Sequence, residues 1–330
     1  MGRSLHGSVA PHRMTALPTS SRSADPLAFY PHFRAGADGL TLATPAKLNL
    51  FLEIVRKRPD GYHDLESLMV AVELYDTLEL RAVPGGAVEL RCEPDTLGSG
   101  PDNLVHKAAA ALRAVAGRPD LGAHIRLTKR IPTQAGMGGG SSDAAAALVG
   151  LNEIWKLGLT REQLVAIAAS IGSDVAFFLA LPAAWCTGRG EITAPEPPPR
   201  RALDFVLVLP PVGVSTPAVF KRLVVPVGPV GGDRLRAAFR AGDPAAVGAA
   251  LFNRLEPAAF GAEPLVGRLR TRLAELHPAP CGALMSGSGS TVFAVCRDRS
   301  HALEVAAAFR NSRPADEPES RVLIVRGVAL

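Results

Sequence analysis

IPTQAGMGGGSSDAAAAL, residues 131–148, sets four glycines and two serines between a proline and a run of alanines. Glycine lets the chain pass through positive φ and brings backbone N–H groups close to a ligand, at about 0.5–1 kcal/mol of conformational entropy each relative to alanine. Downstream, Ala144, Leu148, Leu151 and Trp155 recur at helical spacing, so the glycines feed straight into a helix. A helix N-terminus carries unsatisfied N–H groups and a partial positive charge, and a glycine-rich approach lets those amides curl around an anion, phosphate above all. The loop contains no Gly-Lys-Ser or Gly-Lys-Thr and lacks the spacing of a dinucleotide-binding turn.

Outward from the loop, the preceding AHIRLTKRIP, residues 123–132, is a strand that delivers the chain to it. Further back, AKLNLFLEI, residues 46–54, alternates with period two. Leu48, Leu50, Leu52 and Ile54 point one way and Lys47, Asn49, Phe51 and Glu53 the other, which sets Lys47 and Asn49 side by side. The turn residues Pro59, Asp60 and Gly61 follow, and residues 65–83 and 87–93 read as further strands. Residues 101–115 form a helix started near Asp102. Beyond the loop a second helix opens at Thr160, with Gln163 completing a capping box, and closes at Gly172, leaving Asp174 just past its end.

The proline-rich APEPPPRR, residues 194–201, cannot continue a helix or a central strand and is the expected boundary between two domains, 39–195 and 202–330. After it come a buried strand at 204–211 and a helix with Thr216 as N-cap and Pro217 in its first position. Helical patterns follow around 233–256 and 263–276, then a strand, glycine turn and strand at 281–296, and a closing helix and strand. Strands and helices mix without regular βαβ alternation, so the fold class is α+β rather than a doubly wound parallel sheet.

A length of 330 residues agrees with two domains of ordinary size. A hydrophobic fraction of 47% and a charged fraction of 20% are those of a globular chain with a substantial core. Lys and Arg exceed Asp and Glu by 36 to 31, a mild excess that suits an anionic small molecule; no basic stripe interleaved with aromatics exists, which argues against nucleic acid as a partner. Cys92, Cys186, Cys281 and Cys296 are widely spaced without a C-x-x-C pair, arguing against a zinc site and a disulfide framework and for a reducing cytoplasmic setting. No apolar run reaches the roughly 18 residues that a membrane span needs. Residues 1–38 are rich in Ser, Arg, Pro and His and show no clear periodicity. They read as a disordered extension or a start-site artefact, Met14 offering an alternative start, and have neither the apolar segment of a secretion signal nor a convincing amphipathic helix.

PTQAGMGGGSSDAAAA, residues 132–147, resembles the second motif of the GHMP kinase superfamily, a P-x-x-x-G-[LM]-G-S-S loop that cradles the phosphates of ATP. Its extra glycines, and Asp143 after the serines, are similar to one branch in particular, the 4-diphosphocytidyl-2-C-methyl-D-erythritol kinases of the non-mevalonate route to isoprenoids. Residues 46–69 are similar to that branch's first motif, with D-G-Y-H at 60–63 the most discriminating part. SIGSDVAFFL at 170–179 matches the segment bearing the catalytic aspartate, and MSGSGSTVFAV at 285–295 matches the third, glycine-rich motif. The resemblance runs from about residue 42 to the C-terminus. FNRLEP, residues 252–257, departs from it: the branch often has N-D-L-E there, and Arg254 takes the place of the acid.

The resemblance implies a two-domain GHMP kinase fold, with a ribosomal-protein-S5-like N-terminal domain, a ferredoxin-like C-terminal domain and the active site in the cleft between them. It implies ATP and Mg²⁺, and a cytidine diphosphate methylerythritol whose 2-hydroxyl accepts the phosphoryl group. Phosphoryl transfer asks mainly for positioning and charge stabilisation. By the resemblance, Asp174 is the catalytic carboxylate that receives the hydroxyl proton, and Lys47 beside it offsets developing negative charge. Asn49 holds the polyol, Tyr62 and Phe220 sandwich the cytosine, His63 reads the base edge, and Thr216 joins the substrate-binding set. The ATP phosphates lie on the stretch of Pro132, Thr133, Gln134, Ala135, Gly136, Met137, Gly138, Gly139, Gly140, Ser141 and Ser142, with Asn103 near the adenine. The direct metal ligands stay open among Ser141, Ser142 and Asp174. Two other readings are a homoserine- or mevalonate-type kinase of the same superfamily and a nucleotide- or sugar-sensing relative that transfers nothing; the presence of both Lys47 and Asp174 counts against the second. Either a monomer or a homodimer is compatible with the sequence.

Overall fold

A computed structural model of the chain describes residues 33–36, 39–95 and 98–329. Two long antiparallel strands, β2 (Gly39–Lys57) and β3 (His63–Val83), form the spine of the first sheet. β1 (Phe33–Gly36) pairs with the start of β2, so Phe33–Gly36, expected to belong to a disordered extension over 1–38, form a strand with Gly39–Leu42, and the rest of 1–38 lies outside the described residues. β5 (Gly122–Thr128) pairs with the end of β3, and β4 (Val88–Glu93) runs parallel to β5 at the edge. Alternate residues of these strands, among them Leu42, Leu78, Leu80, Ile125 and Leu127, form one face. Three helices cover it: α1 (Leu104–Ala116), α2 (Gly139–Ile154) and α3 (Arg161–Ile171). In α2 the run Ala144–Ala147 is wholly buried, and small side chains let the helix lie close to the sheet; a Cβ at Gly150 would stand 2.2 Å from Leu80 Cδ1. Asn103 rather than Asp102 caps α1, its side chain accepting from the Val105 amide at 3.0 Å, whereas Thr160, Gln163 and Gly172 bound α3 as expected.

A short 3-10 turn at Ala176–Leu179 leads into β6 (Ala183–Thr187), which pairs with β3, and β7 (Ile192–Pro195), which pairs with β6. The second sheet is built from β8 (Asp204–Leu209) and three later strands. Between β8 and them lie α4 (Thr216–Arg222), α5 (Asp233–Ala241), α6 (Pro244–Ala250), the two-residue β9 (Phe252–Asn253), α7 (Glu256–Ala262) and α8 (Pro264–Ala274). β10 (Gly282–Met285), β11 (Val292–Cys296), α9 (Arg299–Asn311) and β12 (Arg321–Arg326) complete the described fold, and the sheet order is β10-β11-β8-β12, antiparallel throughout. Alternation along β8 divides two cores. Phe205, Leu207 and Leu209 meet Leu48 and Leu50 of β2 together with α5, while Val206 and Val208 meet α8 and α9. The first core therefore joins the two sheets.

Three further sequence expectations are revised. The helical patterns around 233–256 resolve into two helices and a strand, because Gly242 at φ 67° ends α5 and Asp243 caps α6 ahead of Pro244. Ser215, not Thr216, occupies the cap position of α4, and the Thr216 hydroxyl instead meets Ser288 Oγ at 2.7 Å. The third lies in β2, where Asn49 faces Met69 but Phe51 faces Leu68, so Leu50 is an extra residue that reverses the alternation. Leu52 consequently lines the same cleft as Lys47 and Asn49, and Phe51 packs instead on Trp185 and Phe252, with ring centroids 5.6 and 5.7 Å away.

Candidate active site

A cleft of about 920 Å³ gathers the glycine loop, the middle of β2, the residues after α3 and the start of α4. Pro132–Ser141 all line it. Gly136 and Gly138 sit at φ 71° and 67°, in the left-handed region that a side chain disfavours, and Gly138 is the cap residue of α2 without any side-chain cap. Gly138 therefore offers the first turn of α2 no side-chain cap, the arrangement that suits an anion at a helix start. A Cβ at Gly136 would stand 2.0 Å from the Ser286 carbonyl oxygen, so glycine also allows the third motif to close onto the loop. Ser142 is buried in the first turn of α2 and does not line the cleft; nor does Asn103, whose carboxamide is engaged with Val105 N and Gly98 O while Leu104 faces the cleft.

Beneath the loop is a buried charge cluster that the sequence reading missed. Lys129 pairs with Asp76 and, at 2.6 Å, with Asp143. Asp143 also accepts from Thr44 Oγ1 at 2.8 Å, and Asp76 accepts from the backbone amides of Arg130 and Ile131. The approach to the loop and the helix leaving it are thereby tied to the same ammonium. Burial pushes the Asp143 carboxyl up, against the pull of Lys129. Burial likewise opposes the charge on Lys129, but Asp143 and Asp76 outweigh it and raise its pKa.

At the centre, Lys47 is only 3% exposed, and its Nζ lies 3.4 Å from Asp174 Oδ2 and hydrogen-bonds Asn49 Oδ1. Asn49 Nδ2 donates to Ser67 Oγ at 2.8 Å, and Ser67 Oγ donates to the Phe51 carbonyl at 2.6 Å, which fixes the carboxamide orientation. The Lys47 amide donates to the Met137 carbonyl at 3.0 Å, so β2 and the glycine loop are directly bonded. Asp174 stands in the bend between α3 and the 3-10 turn, partly exposed to the cleft.

The far end is built of side chains on turns. Tyr62, in the β2–β3 turn, is 55% exposed, with the Arg189 guanidinium 5.0 Å from its ring centroid. His63 and Phe220 face each other at 5.1 Å with ring planes inclined by 36°. Burial and the nearby Lys57 both lower the His63 pKa, which favours the neutral imidazole. Thr216 completes the set expected from the sequence, and Lys57, Arg189 and Lys221, which it did not single out, also line this end. Arg189, in the turn between β6 and β7, carries no local pattern that would mark it.

Comparison with known proteins agrees with this geometry. The family described as GHMP kinases N terminal domain matches residues 103–180, and GHMP kinases C terminal matches 235–315. The 4-diphosphocytidyl-2-C-methyl-D-erythritol kinase of Pelotomaculum thermopropionicum is 42% identical over 292 residues, covering 87% of this chain and 97% of that protein. The crystal structure of a 4-(cytidine 5'-diphospho)-2C-methyl-D-erythritol kinase is 32% identical, with a TM-score of 0.71 over 88% of this chain and 100% of that one. The chain belongs to the 4-diphosphocytidyl-2-C-methyl-D-erythritol kinases. As a member of that family it has the GHMP kinase fold, uses ATP and is a phosphotransferase with an alcohol group as acceptor. Homoserine kinase from Cytophaga hutchinsonii, 18% identical with a TM-score of 0.70 over 89% of this chain and 96% of that one, shares the fold. Among the described residues of this kinase, no helix is long and apolar enough to cross a membrane.

Proposed function

We infer that this chain transfers the γ-phosphoryl group of ATP to the 2-hydroxyl of 4-diphosphocytidyl-2-C-methyl-D-erythritol, in the cytoplasm, as a step of non-mevalonate isoprenoid precursor synthesis. The observation that carries the reading is a single cleft with an anion-binding helix start at one end, the Lys47–Asp174 pair at its centre and an aromatic and cationic pocket at the other end. The β- and γ-phosphates lie on the amides of Gly136–Ser141. Asp174 accepts a hydrogen bond from the acceptor hydroxyl, orients its oxygen toward the γ-phosphorus and receives its proton as the new O–P bond forms and the bond to the β-phosphate oxygen breaks, releasing ADP. Lys47 offsets the charge that develops on the transferred group, and Asn49, held by Ser67, keeps Lys47 in place and presents its carboxamide to the polyol.

Tyr62 and Phe220 supply aromatic faces for cytosine, the neutral His63 offers a donor and an acceptor to its edge, and Lys57, Arg189 and Lys221 offset the acceptor's diphosphate. The cleft also suits a nucleotide-borne Mg²⁺: the Asp174 carboxylate and the Ser141 hydroxyl line it beside the phosphate loop, and Mg²⁺ commonly takes only one or two protein donors with phosphates and water. When bound, Mg²⁺ supplies charge neutralisation across the β- and γ-phosphates.

The test is ADP release by the purified chain with ATP and Mg²⁺, offered separately the cytidylyl compound, the polyol phosphate without cytidine, mevalonate and homoserine. Turnover with the cytidylyl compound alone is expected, and Asp174→Asn should nearly abolish it while ATP affinity stays within a few fold. Turnover with another acceptor overturns the roles given to Tyr62, His63 and Phe220, and no turnover with any of them returns the ligand-sensing reading.

A further inference from the structure

The mechanism above leaves FNRLEP, residues 252–257, without a role. Asn253 and Glu256 do not line the cleft, yet both are aimed at one residue of the third glycine motif. Asn253, 5% exposed, uses its carboxamide fully: Nδ2 donates to the Met285 and Gly287 carbonyls, both at 2.8 Å, and Oδ1 accepts from the Leu255 amide at 2.9 Å. Glu256 Oε1 accepts from the Met285 amide at 2.9 Å. The two side chains therefore hold both backbone polar atoms of Met285, where β10 ends and the glycine turn begins.

That turn touches both halves of the machinery. Ser286 Oγ donates to the Gly136 carbonyl at 2.9 Å and accepts from the Asn49 amide at 3.3 Å, bridging the phosphate loop and β2. A Cβ at Gly287 would stand 3.1 Å from the Gly136 oxygen and 3.3 Å from both Asn49 Oδ1 and Lys47 Nζ, so the turn packs against the reacting centre at close range. We propose that Asn253, assisted by Glu256, is a positioning residue: it fixes the Met285–Gly289 turn so that Ser286 sets the spacing between the phosphate loop and the strand carrying Lys47 and Asn49. The proposal rests on the phosphoryl-transfer reading. Its chemistry requires an amide at 253, since a carboxylate there would accept from Leu255 but turn its second oxygen toward two carbonyl oxygens.

The experiment compares Asn253→Ala, Ser286→Ala and the double variant with the wild-type chain. Since a displacement of about 1 Å can cost on the order of 100-fold in rate, kcat in Asn253→Ala is expected to fall by about 10- to 100-fold, with KM for acceptor and ATP moving by less than about threefold. The double variant should fall no further than the lower single one, because both act through one bridge. Leu269→Ala, in the core beneath α8, serves as the control: it lowers Tm without moving kcat at temperatures well below unfolding. Hydrogen exchange at the Gly136–Ser141 amides gives a second readout that does not depend on the acceptor, and it should quicken in Asn253→Ala. Unchanged kcat with unchanged exchange, or fully multiplicative losses in the double variant, overturns the proposal. Should Asn253→Ala fail to fold, Ser286→Ala alone decides it, a kcat within twofold of wild type being the overturning result. Absence of wild-type turnover instead strikes the acceptor assignment, and the exchange measurement still tests Asn253.

Discussion

The two ends of the cleft are made of different material. At the glycine-loop end, where we propose the nucleotide, the surface facing the cleft is largely backbone, presented by a helix start and braced from below by Lys129, Asp76 and Asp143. At the other end, where we propose the acceptor, it is side chains on turns and a short helix, with Tyr62 more than half exposed. A phosphate needs convergent N–H groups and is indifferent to which residues supply them beyond the demand for glycine, whereas a particular base needs particular rings and edges. A homoserine kinase only 18% identical shares the fold, and D-G-Y-H, the turn that resembles one branch of the superfamily, lies at the end made of side chains.

If the ends are so different, damage to each should read out differently, and the largest effect belongs to the backbone end. Gly136→Ala places a methyl group 2.0 Å from the Ser286 carbonyl and imposes a left-handed conformation that costs a side-chain-bearing residue roughly 1–2 kcal/mol. Turnover should fall by at least about 100-fold, with Tm lowered as well, since the bridged turn must move. Kinetics and calorimetry on one preparation check it, and a normal KM for ATP with a normal Tm would break the contrast.

A smaller and more selective loss is expected at the other end. Phe220→Ala removes a stacking face worth about 1–3 kcal/mol, so the acceptor KM should rise by roughly 5- to 150-fold while KM for ATP stays put. Equal rises in both constants would show that the ends are not independent.

The finest test concerns pH. Burial and Lys57 both hold the His63 pKa below the usual histidine range, so base reading by the neutral ring persists into mildly acid solution and fails as pH falls through that lowered value. Lys57→Met removes one of the two depressing influences, raises the folded pKa and should shift the acid limb of acceptor KM upward by a fraction of a pH unit. A profile of acceptor KM between pH 5 and 8 measures it, and a downward shift would contradict the assignment.

What the sequence made legible follows the same division. The glycine loop, the capping box of α3 and the alternation of β2 as far as Asn49 are local patterns, set by residues a few positions apart. The bulge at Leu50 depends on how β3 pairs with β2, and nothing within AKLNLFLEI announces it. Lys129 with Asp76, and Asn253 with Met285, are distant in sequence, and each residue alone looks like an ordinary strand or turn residue. That Tyr62, His63 and Phe220 line one cleft was to be expected only through family resemblance, because an exposed turn tyrosine and a half-buried helix phenylalanine have commonplace local settings. Arg254 illustrates the same limit. The acid's replacement was visible, but its partner was not: Glu53 is wholly buried and accepts from two of the three guanidinium nitrogens of Arg254, Nε and Nη2, each at 2.7 Å. Burial alone would raise the Glu53 pKa, and Arg254 with the Val230 and Ile54 amides outweighs it and lowers it.

β9, although only two residues long, belongs to the sheet whose other strands all precede residue 196. During synthesis from the N-terminus, β2 therefore emerges long before Phe252 and Asn253 arrive to pair with Phe51 and Leu52, and Glu53 waits equally long for Arg254. A newborn first half holds an unfinished sheet edge and a carboxylate without its counter-ion. Completion of the strand that carries Lys47 and Asn49 is thus a late event in the life of the chain, timed by the second half rather than by the first.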